Sequence, residues 1–392
     1  MRALTATAFL LTILITNLIS VSKSQAGEPD DFMARADKKA PIANEYINRG
    51  LNYKLGQMAA QYKYAITDAG SKEAPSSCSP EKLRDIVANT FDRNFPDIYD
   101  LFGSSEAYDL TAGPKTYDET PMTKWIPKHH KMWVPSYRVR TSNGEFVMGV
   151  DKIDHFFAHG YLNHLAVNET KTGTRSTRLR KALEFNRTQE HGFWGLRGTK
   201  VKSYADIAAS ELGIQFWENL TNGKDPVFVC ENGLYMMKKP FDLFKYLDPS
   251  VDESINCNSY PDKATRDVMV GHAEKVGAAC PAAAETCKKL VALKKTNADL
   301  TLHPLCRGEA HSQIEETSSL SIEEVLRVGS ALTTVDNLFP FWFGRSQAHS
   351  IKKKSSDSQN TIGDEILLEP SSKEPIETPK SSSQHSPQGT AQ

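Results

Sequence analysis

The sequence predicts a mainly α protein, α+β only in that it carries short β-hairpins. Three observations lead there. Apolar residues make up 39% of the 392 and charged residues 24%, a globular composition. Several stretches pair a helix start signal with apolar residues at helical spacing. Alternating strand-like runs are short and sit beside Asn-Gly turns.

Residues 41–66 read as a helix, with a break expected near Gly50. Ser79-Pro80-Glu81 offers an N-cap followed by a first-turn proline, so a helix should run to about Phe91. Over 137–148, Tyr137-Arg138-Val139-Arg140-Thr141 alternates, Asn143-Gly144 supplies a turn and Phe146-Val147-Met148 returns, which is a β-hairpin. Three helices follow, from about Asp151 to Val167, Ser176 to Gln189, and Ser203 to the stop at Asn222-Gly223. A glycine-rich link, Gly192 to Gly198, joins the last two. Val227-Phe228-Val229 and Leu234-Tyr235-Met236 flank Asn232-Gly233 as a second hairpin, and Ser321 opens a late helix to about Val335.

The ends differ from the body. Arg2, the uncharged apolar run 4–20 and Ser24-Gln25-Ala26 form a secretory signal pattern, with an uncleaved anchor as the rival reading. Residues 346–392 lack Phe, Trp and Tyr and should be disordered. The expected organisation is a signal peptide at 1–26, a helical domain at 27–225 bearing the site, a cysteine-bearing region at 226–345 packed on it, and the tail. The 47 basic side chains balance the 48 acidic ones, so no charge excess suggests nucleic acid, and no later run is apolar enough for a membrane. The expected location is secreted or periplasmic; the oligomeric state stays open. Six cysteines fit an exported chain and allow 15 pairings. Five lie within 230–306, so the cross-linking is expected to be local, with Cys230 paired to Cys257, each beside turn residues. No C-x-x-C, P-loop, G-x-G-x-x-G or G-x-S-x-G occurs, and no cofactor is expected.

Glu190 is the first candidate for chemistry. The apolar stripe Leu179, Ala182, Leu183 continues through Asn186 to Glu190, which points a carboxyl group inward at the helix end. Burial and the negative helix C-terminus should both raise its pKa, leaving an acid able to protonate a leaving oxygen. The glycines after it would let a polymeric substrate approach the backbone. The plainer alternative is a solvated carboxylate at a frayed end. Ser203-Tyr204-Ala205-Asp206 is a capping box with Asp for Glu, so Asp206 is expected to reach back to the Ser203 N–H. Tyr204 or Asp206 could also orient a substrate hydroxyl or water. Gly213 implies close helix packing, and Ile207, Ile214 and Trp217 are spaced for the core. Asp151, His155 and His159 stand four apart on one helical face; the two imidazoles could share a divalent metal, with Asp151 or Glu190 completing the set, although Phe156 replaces the glutamate of the zincin motif. The alternative is a polar core cluster with Asp151 serving the helix N-terminus. The aromatic pairs Phe193-Trp194 and Phe216-Trp217 and the run Phe339 to Phe343 suit core packing or sugar stacking. His129-His130, between two lysines, reads as exposed loop.

Several segments together resemble a family of exported proteins of predatory and social bacteria: Asp-Lys-x-Asp-His-Phe-Phe at 151–157, Ser-Tyr-Ala-Asp at 203–206 with Gly213 and Phe216-Trp217, Pro226-Val-Phe-Val-Cys-Glu-Asn-Gly, Pro240-Phe-Asp-Leu and Asp252-Glu-Ser-Ile-Asn-Cys. The resemblance covers roughly 135–260, and the family itself resembles a lysozyme that predatory bacteria use on deacetylated peptidoglycan. That resemblance implies a helical lysozyme-like domain, a general-acid glutamate mapped onto Glu190 and a tyrosine partner nearest to Tyr204. Ala209-Ser210 departs from the Ala-Asn of the pattern, and no second acidic residue is obvious, so a one-carboxylate mechanism with a loosely held water is implied. The leading expectation is therefore a glycan-cleaving hydrolase acting on cell-wall glycan. Its rivals are a non-catalytic periplasmic binding or structural protein and a metal-dependent hydrolase using His155 and His159.

Overall fold

The structure is a computed structural model. It describes residues 40–67, 77–93, 110, 121, 136–168, 172–192, 195–196, 199–278, 280–281 and 283–309. The signal pattern, His129-His130, Phe193-Trp194, the late helix at 321–335, the 339–343 aromatics and the tail lie outside these residues.

The protein is mainly α with three short antiparallel strand pairs. Helix α1 (Asn44–Thr67) runs without interruption through Gly50, so the expected break is absent. Its buried residues Ile47, Leu51, Leu55, Met58 and Tyr62 recur every three or four positions, and packing of that face overrides one weak helix former. Helix α2 (Pro80–Arg93) starts where the N-cap signal lies, with Ser79 Oγ accepting from the Lys82 N–H at 3.1 Å. Strands β1 (Ser136–Thr141) and β2 (Gly144–Gly149) form the first hairpin, and Gly144, at φ +123°, opens β2 rather than the turn. In the second hairpin, β4 (Val229–Glu231) begins two residues later than expected, because pairing is set by Asn232-Gly233, both at positive φ, against β5 (Leu234–Met236).

The centre of the fold departs from a regular helix. Helix α3 (Asp151–Asp154) passes into a π-turn at His155–His159, where the Gly160 N–H reaches back five residues to the His155 carbonyl, and helix α4 (Gly160–Asn168) follows. The partner is α6 (Tyr204–Glu218), with Ser203 as N-cap, after the two-residue strand β3 (Lys202–Ser203). A Cβ on Gly213 of α6 would lie 1.9 Å from the Phe156 carbonyl oxygen, and one on Gly160 would lie 2.8 Å from the Gly213 Cα. Glycine at both positions lets the backbones touch. Trp217 Nε1 donates to the Phe157 carbonyl at 2.9 Å, and Phe216 packs edge-on to Phe157. Helix α5 (Arg175–His191) closes the layer, and a buried polar bridge ties all three helices: Asn186 donates to Asn163 at 3.1 Å, and Asn163 donates to the Ser210 carbonyl at 3.2 Å.

The region after 226 wraps the same core. Besides short 3-10 turns, its described elements are the second hairpin, α7 (Glu253–Asn256), β6 (Asn258–Ser259, paired with β3), α8 (Lys263–Lys275), α9 (Ala284–Lys294) and α10 (Ala298–Thr301). The cysteine pairing differs from expectation. Cys230 bonds Cys78 rather than Cys257, which bonds Cys280, while Cys287 bonds Cys306. The reason is tertiary. Tyr62 of α1 packs edge-on to Tyr235 of β5 at 5.0 Å, and its hydroxyl accepts from the Ser79 N–H at 2.8 Å. Those two contacts bring Cys78, next to Ser79, onto the hairpin that carries Cys230. The cross-linking is therefore not confined to 230–306. Among the described residues no helix is long and apolar enough to cross a membrane.

Candidate active site

Glu190 is 3% exposed at the end of α5, where the inward stripe carries it. The link after it folds back on the glutamate's own backbone. The Leu196 N–H donates to the Glu190 carbonyl at 2.8 Å, and a Cβ on Gly195 would stand 1.9 Å from that carbonyl oxygen. Gly195 thus serves the chain's own turn, not the approach of a substrate.

The side chain meets the start of α6. Ser203 Oγ accepts from the Asp206 N–H at 3.1 Å, which is the expected half of the capping box. The other half is filled from another helix: the Ser203 N–H donates to Glu190 Oε2 at 3.4 Å. Asp206 does not reach back to Ser203, because its carboxylate is held elsewhere. Lys152 Nζ lies 2.6 Å from Asp206 Oδ1 and His155 Nε2 lies 3.1 Å from Oδ2. Lys152 also contacts Asp151 at 2.8 Å and Glu253 at 2.6 Å. Glu253 in turn accepts from Ser203 Oγ at 3.0 Å and from Asn258 at 2.7 Å.

These neighbours divide the protons unequally. Burial pushes the Glu190 carboxyl up to about 8, with the adjacent Asp206 charge adding to the effect and His155 and Lys152 opposing it. Burial would raise Asp206 too, but the His155 and Lys152 cations outweigh it and hold Asp206 well below the usual carboxylate range. Burial disfavours a charged His155 ring, yet Asp206 outweighs it and lifts His155 to about 9. His159, stacked on His155 at 4.5 Å, is pushed down to about 3 by burial and then by the His155 charge. Burial, then Asp206 and Glu253, raise Asp151 to about 7 although Lys152 opposes this. At neutral pH the site holds a protonated Glu190 beside an ionised Asp206.

The residues expected from sequence are not all brought together. Glu190, Asp206 and His155 converge, each offering a ligand atom within 4.8 Å of the others. Tyr204 does not join them. Its hydroxyl accepts from Lys202 Nζ at 3.0 Å and its ring packs edge-on to His303 at 5.2 Å. Lys202 and Tyr204 are two residues apart across the start of α6, so they leave the face opposite Ser203. Asp151, His155 and His159 do not form a ligand trio among the described residues. The π-turn alters the phase of the helix on which their spacing was counted, and Asp151 accepts from the Lys152 N–H at 3.0 Å. A second acidic set, Asp151, Asp206 and Glu253, does not fit a metal, because the Lys152 ammonium stands between its oxygens. The set His155, Glu190 and Asp206 offers suitable donor types, but two of its three members carry protons at neutral pH that a cation would have to displace.

Sequence reasoning missed Lys152 and Glu253. A lysine in a first helical turn reads as a solvated side chain. The available signal was the run Asp151-Lys152-Ile153-Asp154-His155, in which a charged surface stripe and a buried one look alike. Compared with protein-family models, with curated proteins and with solved structures, the chain matches none, so its functional reading rests on this geometry.

Proposed function

We propose that the protein is an exported, lysozyme-like glycan hydrolase acting on bacterial cell-wall polymer, with Glu190 as general acid. The observation that carries the reading is the split between two neighbouring carboxyl groups, Glu190 raised to about 8 and Asp206 depressed. Paired carboxyl groups with opposed ionisation are the usual division of labour in acid-assisted glycoside cleavage. Three disulfides favour maturation in an oxidising compartment, where such a polymer is met.

The Ser203 N–H engages Oε2, so the proton resides on Oε1, which accepts no hydrogen bond among the described residues. Oε1 donates to the glycosidic oxygen as the bond to the sugar breaks. Positive charge developing on the ring is stabilised by Asp206, fixed by Lys152 and His155. Water then adds to the sugar and returns a proton to Glu190. His191 and Gly192, partly exposed beside the acid, border the approach. Asp206, 1% exposed and bound to two cations, acts as fixed charge rather than nucleophile.

A second reading, a non-catalytic binding or structural protein, is favoured by one observation: Glu190, Asp206 and Glu253 are all nearly closed to solvent. The experiment that separates the two incubates wild type and Glu190→Gln with acetylated and deacetylated peptidoglycan and follows muropeptide release. The hydrolase reading expects release by wild type and a loss of roughly 100- to 10,000-fold in the variant. No release by wild type, or equal release by both, overturns it. A metal-dependent hydrolase would instead lose activity to a chelator and recover it with added zinc.

A further inference from the structure

Lys152, Lys202 and Lys294 are all buried. Burying an ammonium is costly unless it is paired and hydrogen-bonded. Lys152 has three carboxylates around it, and Lys294 has two, Glu211 at 3.1 Å and Asp248 at 3.2 Å. Lys202, 1% exposed, has none among the described residues. Its one hydrogen bond goes to the Tyr204 hydroxyl, and its ammonium lies 4.7 Å from the Tyr204 ring centroid.

The groups beside it are also short of acceptors. Lys202 is the cross-strand partner of Ser259 in the β3–β6 pair, so both side chains leave the same face of the ribbon. The Leu305 N–H donates to His303 Nδ1 at 3.1 Å, which in the neutral ring places the proton on Nε2. Nε2 therefore donates to Ser259 Oγ at 3.0 Å. Ser259 and Tyr204 each accept a hydrogen bond and retain a hydroxyl hydrogen with no acceptor among the described residues. Lys202 retains two N–H bonds in the same condition. A cation and two hydroxyl donors thus share one face with no counter-charge. The field there is felt nearby: burial, and after it the Lys202 charge, depress His191 to about 3.

We propose that the Lys202–Tyr204–Ser259 face is a binding site for an oxyanion, carried as a carboxylate on a sugar ligand or as a free small anion. The bound oxyanion accepts from Lys202 Nζ, from Tyr204 O–H and from Ser259 O–H, and supplies the missing charge. The site does not depend on glycan cleavage. Across β3 from it the Ser203 side chain meets Asp206 and Glu253, members of the charged cluster beside Glu190.

Titration calorimetry at constant ionic strength tests this with four probes: N-acetylmuramic acid, N-acetylglucosamine as the ring without a carboxylate, lactate and inorganic phosphate. Saturable binding of any acidic probe, with none for N-acetylglucosamine, is the expected result. Tighter binding of N-acetylmuramic acid than of lactate identifies a sugar carboxylate as the source, and preference for phosphate identifies a free anion. Lys202→Met should weaken binding at least tenfold and should not lower the melting temperature, because it removes an uncompensated charge. If that variant fails to fold, Tyr204→Phe with Ser259→Ala must show the same weakening. Absence of saturable binding to wild type overturns the proposal, as does equal affinity in the folded variants.

Discussion

Replacing Glu190 by Gln should change how stability depends on pH, whatever the protein's activity. A carboxyl group raised from its ordinary 4.5 to about 8 keeps its proton in the folded chain at pH values where the unfolded chain has released it. Its contribution is fully present below pH 4.5 and is lost as pH rises through 8. The slope across that window is about 1.4 kcal/mol per pH unit. Over the whole interval the loss has a ceiling of about 5 kcal/mol. Gln keeps the neutral shape and an acceptor for the Ser203 N–H but has no proton to lose. Urea unfolding of both proteins, disulfides intact, at half-unit steps from pH 5 to 9 measures the difference. The variant should gain on wild type steadily until about pH 8 and level off there. Asp151 titrates in both proteins, whereas His155 loses the influence of the Glu190 charge in the variant, so the difference reports the coupled Glu190–His155 pair. A difference that stays flat across the range refutes the claim that Glu190 is buried with its proton.

Two further outcomes follow from the fold. Removing Cys78–Cys230, which spans 152 residues, should cost about 5 kcal/mol by loop entropy, against about 3 for Cys287–Cys306, which spans 19. Paired Cys→Ser variants in denaturant melts check this, and equal costs contradict the long-range link. Lys152→Met strands the carboxylates of Asp151, Asp206 and Glu253 together and should lower unfolding free energy by about 3–5 kcal/mol at pH 7, with recovery towards acid as they protonate.

How far these features are legible in the sequence depends on how far apart their determinants lie. Glu190 could be found because the stripe from Leu179 repeats along one helix, and burial of Ala182, Leu183 and Asn186 follows the same period. The Ser203 cap and the two hairpins are equally local. Cys78 could not be assigned a partner, because its neighbour is chosen by Tyr62 and Tyr235, far away in the chain. Lys152 and Glu253 look like surface residues until folding sets them 2.6 Å apart, 101 positions distant. Tyr204 was expected beside Glu190 because it is close in sequence, but strand alternation sends it to the opposite face. The π-turn leaves no mark in His155-Phe-Phe-Ala-His159; it ends at Gly160, where the helix meets Gly213 of another helix.

That single surplus residue acts as a phase setting. Were the same residues between 155 and 159 wound as ordinary α-helix, everything upstream would rotate by about 100° and shift by about 1.5 Å. Lys152 would swing away from Asp206 while Gly160 could keep its seat against Gly213. A chain shorter by one residue at this point could wind as regular helix and keep both its packing and its charged cluster, so a related sequence without the π-turn should carry one residue fewer between Lys152 and Gly160.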